Sequence, residues 1–97
     1  MTEWTAKVRW DKIPFHNRES ISKYVEHGIK PGGFLQAVIT NDLKAACVQA
    51  DDINRDAIHA IVLFFHVWAP PGCWGSHERM VAWIEHKGLE GRDAMDA

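Results

Sequence analysis

The chain has 97 residues, of which 46% are hydrophobic and 25% are charged, and its net charge is −2 at pH 7. This composition is typical of one soluble globular domain and excludes an intrinsically disordered chain. The charge lacks the basic excess of many nucleic-acid binders and the acidic excess of nucleic-acid mimics, so electrostatics does not select a partner.

The two cysteines, Cys47 and Cys73, are too few for a disulfide framework, and no secretory leader opens the chain. The longest apolar run, IVLFF, is too short to cross a bilayer. We therefore expect a cytoplasmic protein with reduced thiols and no membrane contact. Five tryptophans exceed what a core of this size can place at its centre, so we expect some of them to serve a partner.

Residues 1–12 alternate between apolar and polar side chains and form an arm. Its apolar side carries Trp4, Ala6, Val8 and Trp10, an alternation typical of a half-buried β-strand. No later segment is an obvious second strand. The arm therefore either lies extended over helices with a hydrated backbone, or pairs with a strand of another chain.

A helical domain is expected over residues 13–88, beginning with a helix that Asn17 caps and Gly28 ends. A second helix is expected from the Pro31-Gly32-Gly33 turn to about Ala50. Its apolar stripe comprises Leu35, Val38, Ile39, Leu43, Ala46 and Cys47.

The polar pair Asn41-Asp42 falls inside this second helix, where both residues have poor helix propensity. We interpret Asp42 as a buried brace that accepts internal hydrogen bonds, from Arg18 or Lys23 for example. The alternative is a carboxylate that binds a partner.

A third helix is expected from a cap at Asp51 or Asp52 to about Trp68. Apolar residues surround most of its circumference, so we expect it to be the most buried element. Ser76 then caps a fourth helix that ends at Gly88, and residues 89–97 form a frayed tail. The sequence thus predicts a mainly α single domain of about four helices with an extended or β-like arm.

The segment APPGCWGS at residues 69–76 joins the third and fourth helices. Its prolines stop one helix, and Ser76 starts the next. Trp74 between them is best interpreted as a plug that packs the corner against the core.

The chain also resembles a family of small proteins encoded by bacteriophages and prophages, over roughly positions 13–88. The resemblance lies in Tyr24-Val25-Glu26 with Gly28, Pro31-Gly32, Phe34-Leu35, Asn41-Asp42-Leu43, Ala50-Asp51 with Asn54, Cys73-Trp74-Gly75-Ser76 and Trp83. It implies a phage origin but no mechanism, since no enzymatic activity is attached to the family. Where members of the family tend to carry a tyrosine, an asparagine and an acidic residue, this chain has His66-Val67-Trp68, which leaves two apolar residues at a helix end.

Metal and catalytic sites are weakly indicated. Cys73 and His77 form one short-spaced pair, whereas a structural zinc site needs four ligands. Cys73 near a helix start could act as a nucleophile with His77 or His66 as base, but no oxyanion or acid signature accompanies it. We expect no cofactor, no metal and no enzyme activity.

The expected function is protein binding. The residues assigned to the partner surface are Trp4, Lys7, Arg9, Trp10, Val67, Trp68 and Trp74. The partner would be a host or phage complex, and inhibition of a host defence such as CRISPR is one instance. The arm could also pair two copies of the chain. The alternative function is nucleic-acid binding through the basic residues near the arm, which is less well supported.

Overall fold

A computed structural model describes residues 10–70 and 72–91 of the chain. A 3-10 turn, Trp10–Lys12, precedes five α-helices: α1, Phe15–His27; α2, Gly33–Ile39; α3, Leu43–Gln49; α4, Asp52–Val67; and α5, His77–Glu85. The described part contains no β-strand, so the mainly helical fold class is confirmed. Residues 1–9 of the predicted arm lie outside this part. Trp10, its last tryptophan, lies in the 3-10 turn and not in an extended segment.

Helix α1 begins at Phe15 and not at Arg18, the first helical residue expected after an Asn17 cap, so the predicted cap is wrong. Pro14 precedes the helix, and Asn17 is buried within its first turns. The Asn17 side-chain amide donates a hydrogen bond to Oδ1 of Asn54 in α4 at 2.5 Å. The asparagine therefore links two helices, because a buried amide requires a polar partner. Gly28 ends α1 with φ of 67°, as expected.

The predicted second helix is two helices, so the described residues contain the five α-helices given above where the sequence predicted about four. Asn41 has a left-handed φ of 63° and ends α2. Asp42 is not a buried brace: it is exposed, and its side chain accepts a hydrogen bond from the amide of Ala45 as the N-cap of α3. Leu43 and Cys47, predicted to be core residues, are exposed because the break rotates α3 away from the core.

Helix α4 starts at its predicted cap, where the Asp51 carboxylate accepts from the amide of Asn54 at 2.7 Å. The expectation that α4 is the most buried element is wrong, since four of its sixteen residues are buried against five of seven in α2. Phe64 and Phe65 are in the core, but the side chains of Ile53, Leu63 and Val67 are exposed. Its neighbours cover only one side of the helix.

The connection at residues 69–76 and helix α5 form the last part of the packed domain. Ser76 caps α5 as expected, accepting from the amide of Arg79 at 3.2 Å. The α5 residue Trp83 is buried, and its indole N–H donates to the carbonyls of Tyr24 and Val25 at 3.0 and 3.2 Å. Residues 88–91 form a further helical turn whose Leu89 is buried, so the packed body continues past residue 88.

Helix α2 lies at the centre of this arrangement and contacts α3, α4 and α5. Five of its seven residues are buried: Phe34, Leu35, Ala37, Val38 and Ile39. No described helix is both long enough and apolar enough to cross a membrane.

Candidate partner-binding groove

An open, mostly apolar groove runs between the Trp10–Lys12 turn and α4, with a volume of about 320 Å³. The described residues that line it are Lys12, Ile13, His59, Ala60, Leu63, Phe64 and Trp68. We call this surface the α4 groove. Its volume lies at the lower end of the range usual for ligand pockets, which suits a few side chains of a partner.

The helical repeat of α4 builds one wall of the groove. Ala60 lies three residues before Leu63 and four before Phe64, and Phe64 lies four before Trp68. Residues three and four apart share one helix face, so these side chains form a continuous row. Val67, four residues after Leu63, extends the row at its outer edge.

The opposite wall is held by contacts of the 3-10 turn. The Trp10 ring packs against Phe64 with ring centroids 5.6 Å apart. The Arg18 side chain donates from Nε to the carbonyl of Ile13 at 2.9 Å. Ile13 itself is buried in the core. The groove is therefore lined on both sides by residues that the fold holds in place.

Apolar side chains near the groove remain in contact with water. Leu63 is 44% exposed and Val67 is 57% exposed, and they lie on either side of the buried Phe64 and Phe65 in α4. Trp68 is half-buried. Contiguous exposed apolar surface of this kind is typical of interaction sites, because burying it against a partner releases water.

Two of the described lining residues, Lys12 and His59, are basic. Neither forms an ion pair within the described part of the chain. The neighbouring carboxylates of Asp11 and Asp56 do not line the groove. The described lining thus combines apolar side chains with one lysine and one imidazole ring, and it contains no carboxylate.

The structure brings together some of the residues that the sequence assigned to a partner surface and separates others. Trp68 lines the groove, and Trp10 packs against the lining residue Phe64, whereas Val67 is exposed nearby on α4 but does not line the groove. Trp74 is half-buried against Phe65, with ring centroids 6.3 Å apart, and does not line the groove. Trp4, Lys7 and Arg9 lie outside the described residues.

Sequence reasoning missed Leu63, His59 and Ile13 as residues of this surface. The available signal was the nearly continuous apolar circumference of residues 57–68. A helix in so small a domain cannot bury every side, so one flank had to face solvent or a partner. Which flank is exposed depends on where the 3-10 turn crosses α4.

A second hollow lies beside the first, between the 3-10 turn and α1. It is lined in the described residues by Trp10, Phe15, His16, Arg18, Glu19 and Ser22. Phe15 is 82% exposed, and the Arg18 guanidinium lies over its ring, 5.6 Å from the centroid. An exposed aromatic ring beside a cation can stack on another planar group.

The weakly indicated metal and nucleophile sites are not assembled in the described residues. No group of three or more histidine, cysteine, aspartate or glutamate side chains there could hold a metal ion. Cys73 is fully buried, whereas His77 is exposed at the start of α5. A nucleophilic thiol must reach its substrate, so this placement favours a packing role for Cys73.

Comparisons with known proteins identify no relative of the chain. No protein-family model matches the chain, and neither a curated protein nor a solved structure matches it significantly.

Proposed function

We propose that the protein is a phage-encoded accessory protein that acts by binding a protein in a host or phage complex, without catalysis. The observation that carries the proposal is the α4 groove, where Leu63 and the half-buried Trp68 present apolar surface, with the exposed Val67 one helical turn beyond Leu63. Bulky apolar and aromatic side chains around a preformed concave surface suit the anchoring residues of a protein interface.

The resemblance to phage proteins supports the choice of partner. A phage product works in the host cytoplasm, where it meets host complexes and other phage proteins. Inhibition of a host defence assembly, such as a CRISPR complex, falls within the proposal. We also propose that the arm residues Trp4, Lys7 and Arg9 contribute to binding, since the arm joins the helical domain at Trp10 beside the groove. Pairing of two copies through the arm would be compatible with this role.

Nucleic-acid binding is the second candidate, and the hollow around Phe15 favours it. Exposed aromatic rings next to cations form the stacking platforms of single-stranded nucleic-acid binders. Here Arg18 and His16 lie beside Phe15, and Glu19, the one carboxylate among the described lining residues of the hollow, pairs with Lys23 at 2.9 Å. The net charge of the chain does not favour this candidate.

Affinity purification from lysate of a bacterial host tests the proposal. We expect the tagged chain to retain one host or phage protein, and the variant Leu63→Asp to retain about tenfold less, because a carboxylate would be buried in the interface. Val48→Asp is the matched control, since Val48 is 75% exposed on α3, away from the groove.

Three results would contradict protein binding at the groove. One is equal recovery with Leu63→Asp, and another is a loss of recovery with Val48→Asp alone. The third is a loss of all recovered protein after nuclease treatment, which would favour the nucleic-acid alternative. That alternative also predicts a mobility shift of single-stranded DNA that weakens steeply with salt and with Phe15→Ala.

A further inference from the structure

The charged side chains of the α4 groove indicate which kind of protein segment would bind there. Its described walls are apolar except at Lys12 and His59, and neither of these groups forms an ion pair with a carboxylate of the described residues. A segment that places a carboxylate there gains an ion pair, whereas a segment that places a lysine or arginine there meets like charge. The groove therefore favours segments with acidic side chains over segments with basic ones.

The geometry of the walls defines the apolar part of the partner. Leu63 and the half-buried Trp68 supply accessible apolar surface around a space of about 320 Å³, and the buried Ile13 and Phe64 lie beneath it. This volume admits one or two bulky side chains and no complete helix. The contact is thus expected from a short segment, with its apolar side chain between the walls and its acidic neighbour at the rim.

We propose that the α4 groove binds a short protein segment in which a bulky apolar residue is flanked by aspartate or glutamate. The apolar side chain lies against Leu63 and Trp68, and the carboxylate pairs with Lys12 beside the His59 ring. This inference rests on the proposed function and adds the chemistry of the partner to it. The groove so defined discriminates against basic segments.

Selection from a displayed library of short random peptides on the purified full-length chain tests the proposal. We expect the retained peptides to join a leucine, phenylalanine or methionine to an acidic residue. Binding of a selected synthetic peptide should weaken about fivefold with Lys12→Glu, because an exposed attraction becomes a repulsion. Lys44→Glu makes the same charge change on α3 and should leave the affinity unchanged, and Leu63→Asp should abolish binding.

The outcomes separate this inference from the function on which it rests. Peptides that are lost with Leu63→Asp but show no acidic preference, or bind Lys12→Glu equally well, overturn the acidic partner and leave the groove intact as a binding site. Peptides that bind Leu63→Asp as strongly as the unaltered chain, or no enrichment at all, overturn both proposals. A dimer in light scattering that Leu63→Asp dissociates would identify a second copy as the occupant and also overturn the inference.

Discussion

Tyr24 shows how a single side chain joins distant parts of this chain. Its hydroxyl, buried in the core, donates to the carbonyl of Cys73 at 2.5 Å, 49 positions further along. Burial, and secondarily the neighbouring Cys73, raises the pKa of Tyr24 far above its ordinary value. The phenolate would lose its hydration in the core, so the folded chain holds this hydroxyl protonated.

We expect Tyr24→Phe to lower the free energy of unfolding by about 1–2 kcal/mol near neutral pH, because the carbonyl of Cys73 loses its buried donor. The pKa is raised in the folded chain above the unfolded value of about 10. The stabilisation from neutral Tyr24 is therefore complete below that pH and declines as the pH rises further. The unaltered chain and Tyr24→Phe should therefore differ less in unfolding free energy as the pH rises above about 10.

Urea unfolding followed by tryptophan fluorescence, at about pH 8 and about pH 11, measures this difference. Tyr24 is the sole tyrosine of the chain, so tyrosinate absorbance reports its ionisation alone. A difference that is the same at both pH values, or tyrosinate absorbance in the still-folded chain near the ordinary pKa, would contradict the buried hydroxyl.

At the scale of elements, the break between α2 and α3 decides which apolar residues reach the core. The amide of Asn41 donates to the carbonyl of Val38 at 3.1 Å, and that of Asp42 to Ala37 at 2.8 Å. These two bonds with a left-handed residue form a Schellman motif, which satisfies the last carbonyls of α2. The Asp42 side chain then starts α3. The two helices consequently point in different directions and place α3 at the surface.

The variant Asn41→Ala distinguishes this break from a continuous helix. Alanine has the higher helix propensity, so in a continuous helix the variant would be more stable by about 0.5 kcal/mol. At a left-handed position alanine is strained, and we expect a loss of about 1 kcal/mol. Asn41→Gly should be at least as stable as the unaltered chain, since glycine adopts positive φ without strain. Chemical denaturation gives the sign, and a stabilising Asn41→Ala would refute the break.

At the scale of the whole molecule, two glycines allow the first and last helices to meet. Gly28 and Gly88 each have φ of 67°, and a Cβ on Gly88 would lie 2.6 Å from the backbone nitrogen of Gly28. The Trp83 indole bonds to the carbonyls of Tyr24 and Val25 in the same region. This contact fixes the end of α5 against α1, so it joins the two ends of the packed domain.

We expect Gly88→Ala to lower the free energy of unfolding by about 3 kcal/mol, because the methyl group would strike backbone atoms that cannot move independently. Gly72→Ala is the matched control. Gly72 also has positive φ, of 91°, but nothing lies within 4 Å of its would-be Cβ, so only backbone strain remains. Thermal unfolding of both variants measures the difference, and equal losses would argue against close packing of Gly28 on Gly88.

The sequence by itself determined the helical class and several helix ends. Gly28, Asp51 and Ser76 act locally, through left-handed dihedrals or side-chain caps, so their roles can be predicted without knowledge of the fold. The Asn41-Asp42 pair carried a local signal as well, but the apolar spacing across it favoured one long helix. Whether such a pair ends a helix depends on what the next segment packs against.

The tertiary structure alone decided which side of α4 is exposed, and hence where the α4 groove lies. Apolar periodicity shows which side chains tend to be buried. It does not show which neighbouring element covers them. Helix packing between residues far apart in the chain brings Lys12 and His59 to one groove. It also places Trp68 at that groove and Trp74 against Phe65. Burial is a property of the assembled molecule, because each element is covered only by the others.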